Sequence, residues 1–313
     1  MEATGPASYP PKPPEPLPKQ SQHNILRTII SLLVYIAVYY ALFRDLKSVL
    51  LLVIVIFLHE MGHFTAMKFF GYSDVKMFFV PLLGAFVSGH HKSVSSAQRT
   101  IMIMAGPVPG VMMGLICLWI YSATHSSVFY QFAFLFIFLN VFNLLPVSPL
   151  DGGQLLETLF FQSNKRVQNI FVIISCILLS YFAFRTGNYL ILIVVLLLLS
   201  RLRSFFSDRR LQQALKAKNI NLSKTYEQLT DEEYWLIRSE VLNHYGFLKK
   251  LNQTAQAEEE QMLVPYVKDV LHSPDSNDIK PAYKLLFLTV WLAAMIVPLL
   301  VYMYYSMARH LVD

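Results

Sequence analysis

The chain has 313 residues, 55% of them hydrophobic and only 15% charged, with a mean hydropathy of +0.45. These values exclude an ordinary soluble domain and point to a membrane protein. The net charge of +6 is concentrated: Arg201, Arg203, Arg209, Arg210, Lys216, Lys218 and Lys224 face a single acid, Asp208, between residues 201 and 224. Directly after an apolar run, that cluster reads as an anchor on an anionic lipid leaflet. No recognition module stands beside it, so lipid is the expected partner and nucleic acid is not.

Residues 1–24 contain seven of the 16 prolines and read as an extended or disordered tail. The basic, apolar and small-residue order of a signal peptide is missing from it. Apolar runs follow at about 25–43, 47–70, 100–121, 129–146, 168–184, 188–203 and 283–307. They predict an all-α polytopic membrane protein of about seven transmembrane helices, with a membrane-embedded core over 25–203. The fifth and sixth runs are short and joined by Arg185-Thr186-Gly187-Asn188, which predicts a tight helical hairpin. Gly106, Gly110 and Gly114 recur every four residues, a smooth stripe suited to close helix packing. Pro107 and Pro109 imply a kink or a late helix start there.

Residues 204–282 are soluble in character and mostly helical. Thr230-Asp231-Glu232-Glu233 is a capping box ahead of a helix, with Gly246 as its stop. A second helix is expected from Gln253 to His272, interrupted near Pro265. Residues 283–313 form a last transmembrane helix and a short tail. Cys117 and Cys176 lie within apolar runs, lack zinc spacing and say little about redox compartment.

The second apolar run carries His59-Glu60-Met61-Gly62-His63. Ionisable residues inside a membrane segment are costly and usually mark function. On a helix, positions i and i+4 share a face, so His59 and His63 can present ring nitrogens to one metal ion. Glu60 is then placed to take a proton from a water activated there. Two histidines that merely satisfy each other in a core are the alternative. A tetrahedral metal needs a further protein ligand, and Asp151, in Asn143-Leu-Leu-Pro146-Val-Ser-Pro149-Leu150-Asp151-Gly152-Gly153, is the best candidate. Taken alone, that stretch is an ordinary proline–glycine turn.

Together these motifs resemble the site-2 protease family, intramembrane zinc metalloproteases also known as peptidase family M50. Its two hallmarks appear as His59 to His63 and as Asn143 to Gly153. A softer match, Val80-Pro81-Leu82-Leu83-Gly84-Ala85-Phe86-Val87, looks like the small membrane-associated β-hairpin that follows the family's first core helix. Ala105-Gly106-Pro107 looks like the opening of its middle core helix; where many relatives have an asparagine, this chain has Gly110. The resemblance covers about residues 46–160.

It implies one Zn²⁺ per chain held by His59, His63 and Asp151, with Glu60 as catalytic general base. The implied substrates are transmembrane proteins, often already trimmed by another protease. A free sheet edge holds an extended peptide by strand addition, which makes Gly84, Phe86 and Val87 candidate substrate-binding residues. Asn143 is a candidate to orient a substrate carbonyl, with helix capping the alternative.

Two other readings stay open: a membrane zinc hydrolase like the prenyl-protein proteases, with Glu157 as third ligand, and a non-catalytic scaffold. His90 and His91 read either as a second metal site or as a solvated loop. Basic residues favour one side of the membrane: Lys12, Lys19, Lys76, Lys92, Arg99, Lys165, Arg166 and the 201–224 cluster against Arg44, Lys47, Arg185 and Arg309. That asymmetry predicts a cytoplasmic N-terminus and an extracytoplasmic C-terminus, in a bacterial cytoplasmic membrane.

Overall fold

The structure, a computed structural model, describes residues 9–14, 24–81, 84–90, 94–161, 164–187, 189–218, 220–222, 224–245, 257–271 and 279–310. The chain divides into two compact units. The larger comprises residues 18–199 and 276–313, the smaller residues 1–17 and 200–275.

In the larger unit, α1 (Asn24–Phe43) and α2 (Leu46–Phe69) form a helical pair. Asp45 separates them and caps α2, accepting hydrogen bonds from the Lys47 and Ser48 amides. An antiparallel hairpin follows, β1 (Ser73–Val80) and β2 (Gly84–His90), with Phe78 opposite Phe86 and Met77 opposite Val87. The third apolar run is split into α3 (Ser96–Met104) and α4 (Pro107–Thr124), since Pro107 and Pro109 suit a first helical turn and nothing earlier. Then come α5 (Ser127–Asn143) and α6 (Asp151–Leu156), the latter running into a π-helical turn at Glu157–Phe161. The helix α7 (Lys165–Thr186) ends on Gly187 at φ +69°, a left-handed cap, before α8 (Ile191–Ala217) begins.

The last helix, α11 (Pro281–His310), follows the smaller unit in sequence. It packs on the α4–α5 pair, where the Tyr302 hydroxyl donates to the Tyr130 hydroxyl at 3.0 Å.

Among the described residues, five helical stretches are long and apolar enough to span: Ile25–Phe43, Leu46–Phe69, Ser96–Thr124, Arg166–Thr186 and Pro281–Met307. Ser127–Asn143 and Ile191–Ser200 are apolar but shorter. All seven expected apolar runs are thus helical, and the protein is an integral membrane protein. The count of full spans by length alone is five rather than seven, because α5 has 17 residues and the apolar part of α8 stops at Ser200.

The smaller unit holds α9 (Asp231–His244) and α10 (Ala257–Val270) around buried Leu215, Tyr226, Tyr234, Ile237, Val264 and Val267. Thr230 caps α9 reciprocally with Glu233. Burial alone would raise the Glu233 carboxyl, but the Lys224 ammonium, 2.5 Å away, and the Thr230 cap hold it below its ordinary value.

Two expectations differ from what is seen here. Pro265 does not interrupt α10, which runs through it. One missing hydrogen bond is outweighed by the full burial of Leu263, Val264 and Val267 on the packed face. The expected disordered tail has an ordered stretch at residues 9–14, which hydrogen-bonds to this unit. Gly246 and His91, and the side chains of His90, Arg201, Arg203 and Arg209, lie outside what is described.

Candidate metal centre

Between Val49 and Leu58 the helix α2 is wholly apolar, and a polar patch follows, where His59 and Glu60 are 4% and 7% exposed. The two histidines stand one turn apart, and their Nε2 atoms approach to 3.2 Å. Asp151 reaches them from the start of α6. Its Oδ2 lies 3.2 Å from His59 Nε2 and 3.4 Å from His63 Nε2. The aspartate is aimed by a sharp return of the chain after α5. Gly152 sits so close to the exit of that helix that a Cβ there would lie 1.9 Å from the Leu144 carbonyl oxygen. Ser175 on α7 supports the same loop, its hydroxyl accepting from the Ser148 amide at 3.1 Å.

The far sides of both rings decide what these atoms can do. His63 Nδ1 is 2.8 Å from the Met102 carbonyl, which only accepts, so Nδ1 carries the proton. His59 Nδ1 is 2.7 Å from Asn140 Oδ1. The Asn140 amide nitrogen donates to the Phe136 carbonyl at 2.7 Å, which fixes the amide's orientation and makes this His59 nitrogen a donor too. Both Nε2 atoms of the neutral rings therefore present lone pairs.

With both rings neutral, two imidazole lone pairs and a carboxylate oxygen converge, a donor set that suits a cation. Metal–ligand bonds of about 2.0–2.1 Å in a tetrahedron set donor atoms about 3.3–3.4 Å apart, close to the spacing observed. The residues fit a metal ion. Glu60 lies within electrostatic reach of all three donor residues and is not one of them.

Asn140 carries no signal in a motif; it is a lone polar residue in an apolar run, fully buried, and it orients His59. Asn143, singled out from the sequence, ends α5 half-buried and is not among the groups that touch the cluster. Gly110, where an asparagine was the family expectation, backs onto Asn140: a Cβ at Gly110 would lie 2.3 Å from its amide. The polar group at this place, Asn140, belongs to α5. Gly106 is placed likewise, 2.3 Å from His63 Nε2 by the same measure. Glu157 is buried apart from the cluster and accepts a hydrogen bond from Gln168 at 2.8 Å, so it is not the third ligand.

Among the described residues, one edge of the hairpin has no main-chain partner. On β1, the Met77 carbonyl accepts from Thr28 and the Phe79 amide donates to Ser31, both on α1. Main-chain groups alternate sides along a strand, so Lys76, Phe78 and Val80 face β2. Their partners Ser88, Phe86 and Gly84 face back, and Ala85 and Val87 point out of the far edge. Among the described residues those outward groups have no partner.

Part of the chain resembles known proteins. Residues 47–126 and 121–182 match the profile of peptidase family M50. Stage IV sporulation protein FB of Bacillus subtilis is 30% identical over 142 residues, covering 43% of this chain and 49% of that protein. A zinc metalloprotease of Methanocaldococcus jannaschii is 27% identical over 158 residues, covering 47% of this chain and 45% of that one. The chain thus spans about half the length of the curated relatives it matches. Among solved structures, the site-2 protease from M. jannaschii aligns with a TM-score of 0.41 at 20% identity, over 54% of this chain and 83% of that one. Over residues 47–182, less than half of its length, the chain is similar to peptidase family M50.

Proposed function

We propose that this protein is a zinc-dependent intramembrane protease that cleaves transmembrane protein substrates. The observation that carries the reading is the convergence of His59 Nε2, His63 Nε2 and Asp151 Oδ2 beside a buried glutamate inside apolar helices. His59, His63 and Asp151 would hold a zinc ion, which when bound would supply Lewis acidity toward a peptide carbonyl and toward a water at neutral pH. Glu60 takes the proton from the attacking water and returns it to the leaving amine. Asn140 and the Met102 carbonyl hold the histidine rings in the tautomer that binds metal. Purified protein should carry about one zinc per chain, and Asp151→Ala should lose most of it while remaining helical. Stoichiometric zinc in Asp151→Ala, by elemental analysis, would remove this aspartate from the site.

Substrate is held as an extended strand on the open edge of β2. A helical segment has its carbonyls engaged, whereas strand addition presents a cleavable backbone. The Val87 amide faces that edge and the Phe86 amide faces β1. Val87→Pro should therefore cut cleavage at least tenfold with zinc retained and the hairpin intact, while Val87→Ala keeps most activity. Equal cleavage by Val87→Pro and wild type would relocate the substrate grip.

The N-terminus and residues 200–275 lie on the cytoplasmic side. Basic residues collect there, and residues 10–13 touch residues 226–235, which requires a shared side. A reporter after Lys224 should be cytoplasmic and one after Asp313 external; the same location for both defeats this topology.

A further inference from the structure

The smaller unit holds a second built site, distant in sequence from the metal ligands. Its occupant is the stretch Pro10-Pro11-Lys12-Pro13-Pro14. Four prolines fix φ near the polyproline II value, so the segment loses little freedom on docking. With three residues per turn, the carbonyls of Pro10 and Pro13 fall on one side. Both are met by aromatic donors: Trp235 Nε1 reaches the Pro10 oxygen at 2.6 Å, and the Tyr226 hydroxyl the Pro13 oxygen at 2.7 Å.

Lys12 is the one residue of the five with a main-chain N–H, and that group donates to Asp231 Oδ1 at 2.8 Å. Its ammonium has three protons and three acceptors, the carbonyls of Tyr226 at 2.9 Å, Glu227 at 3.0 Å and Leu229 at 2.6 Å. It also stands 5.3 Å from the centroid of the Tyr226 ring. The cage is framed by two capping boxes, Thr225 with Gln228 and Thr230 with Glu233, on either side of the short 3₁₀ turn Tyr226–Gln228. Pro10, Lys12 and Pro13 thus each meet matched polar partners.

We propose that this face is a recognition site for a lysine-centred polyproline peptide, and that the chain's own residues 9–14 are its resident ligand. A tethered ligand competes at an effective concentration of about millimolar, so a free peptide of the same sequence enters only when the tail is disabled. The three carbonyls match a compact ammonium and not the planar fork of a guanidinium, so arginine does not replace the lysine.

The test uses the full chain in detergent micelles and a fluorescent peptide with the sequence of residues 8–16. The peptide should bind the Lys12→Glu chain, and a chain lacking residues 1–14, at least tenfold more tightly than wild type. Peptides carrying Lys12→Glu or Lys12→Arg should bind either variant at least tenfold more weakly than the parent peptide. Adding Trp235→Phe to the Lys12→Glu chain should also weaken binding, with helical content unchanged by circular dichroism. Binding to none of the chains, equal binding to wild type and both variants, or a Lys12→Arg peptide that binds as well as its parent would each overturn the proposal.

Discussion

Glu60→Gln should lower cleavage of a transmembrane model substrate by about 10²–10⁴-fold, the range contributed by a positioned general base, while zinc content stays at the wild-type level. The amide matches the carboxylate in size and fits the same buried position, 7% exposed in the native side chain. It cannot take a proton from water. None of the three metal donors is altered, so binding and chemistry separate in one variant. The measurement is turnover in proteoliposomes, paired with elemental analysis of the same preparation. Wild-type turnover would move proton transfer to another group. Loss of zinc along with activity would make Glu60 a ligand instead of a base.

Gly106→Ala should be nearly as damaging without touching any chemical group. The new Cβ would lie 2.3 Å from His63 Nε2 and within 2.9 Å of two ring carbons. That ring is anchored on its other side to the Met102 carbonyl, so it can yield only by breaking that bond and turning its lone pair away. Zinc affinity should fall about 10–100-fold, as for a ligand that has lost its orienting partner, and activity should fall with it. Gly114→Ala is the control two turns along the same stripe. There the new atom meets Ile137 Cγ1 at 2.7 Å and Phe136 Cβ at 3.1 Å, which disturbs packing of α4 on α5 and leaves the metal residues alone. A chelator competition assay distinguishes the two; equal zinc affinity in both variants would reduce the stripe to helix packing.

The stripe also shows where reading the sequence ran out. A four-residue glycine repeat states that something approaches closely, but not what. At Gly114 the neighbour is an aliphatic side chain, as packing alone predicts; at Gly106 and Gly110 it is the His63 ring and the Asn140 amide that meets His59. His59, Glu60, His63 and Asp151 were legible because an ionisable group in an apolar run has few structural reasons to be there. Asn140 had the same standing, a lone amide in the same setting, yet no spacing ties it to His59, 81 residues away. Its role exists only once α2 and α5 are side by side. Pro265 misled in the opposite direction, since a local rule about helix breaking was overruled by burial that the local sequence does not advertise. The ordered tail failed for a third reason: proline content describes a chain's stiffness, and stiffness is equally good for a linker and for a ligand.

The Leu144 carbonyl, where the chain leaves α5 toward Asp151, is held by the indole of Trp291 at 2.9 Å. Trp291 belongs to α11, beyond residue 182 where the likeness to the family profile ends. The evolutionary unit and the mechanical unit of this protein therefore have different boundaries. A graft taken at the limits of homology would leave behind the keystone of the arch that carries the aspartate, and one main-chain oxygen in a dry interior would go without its donor.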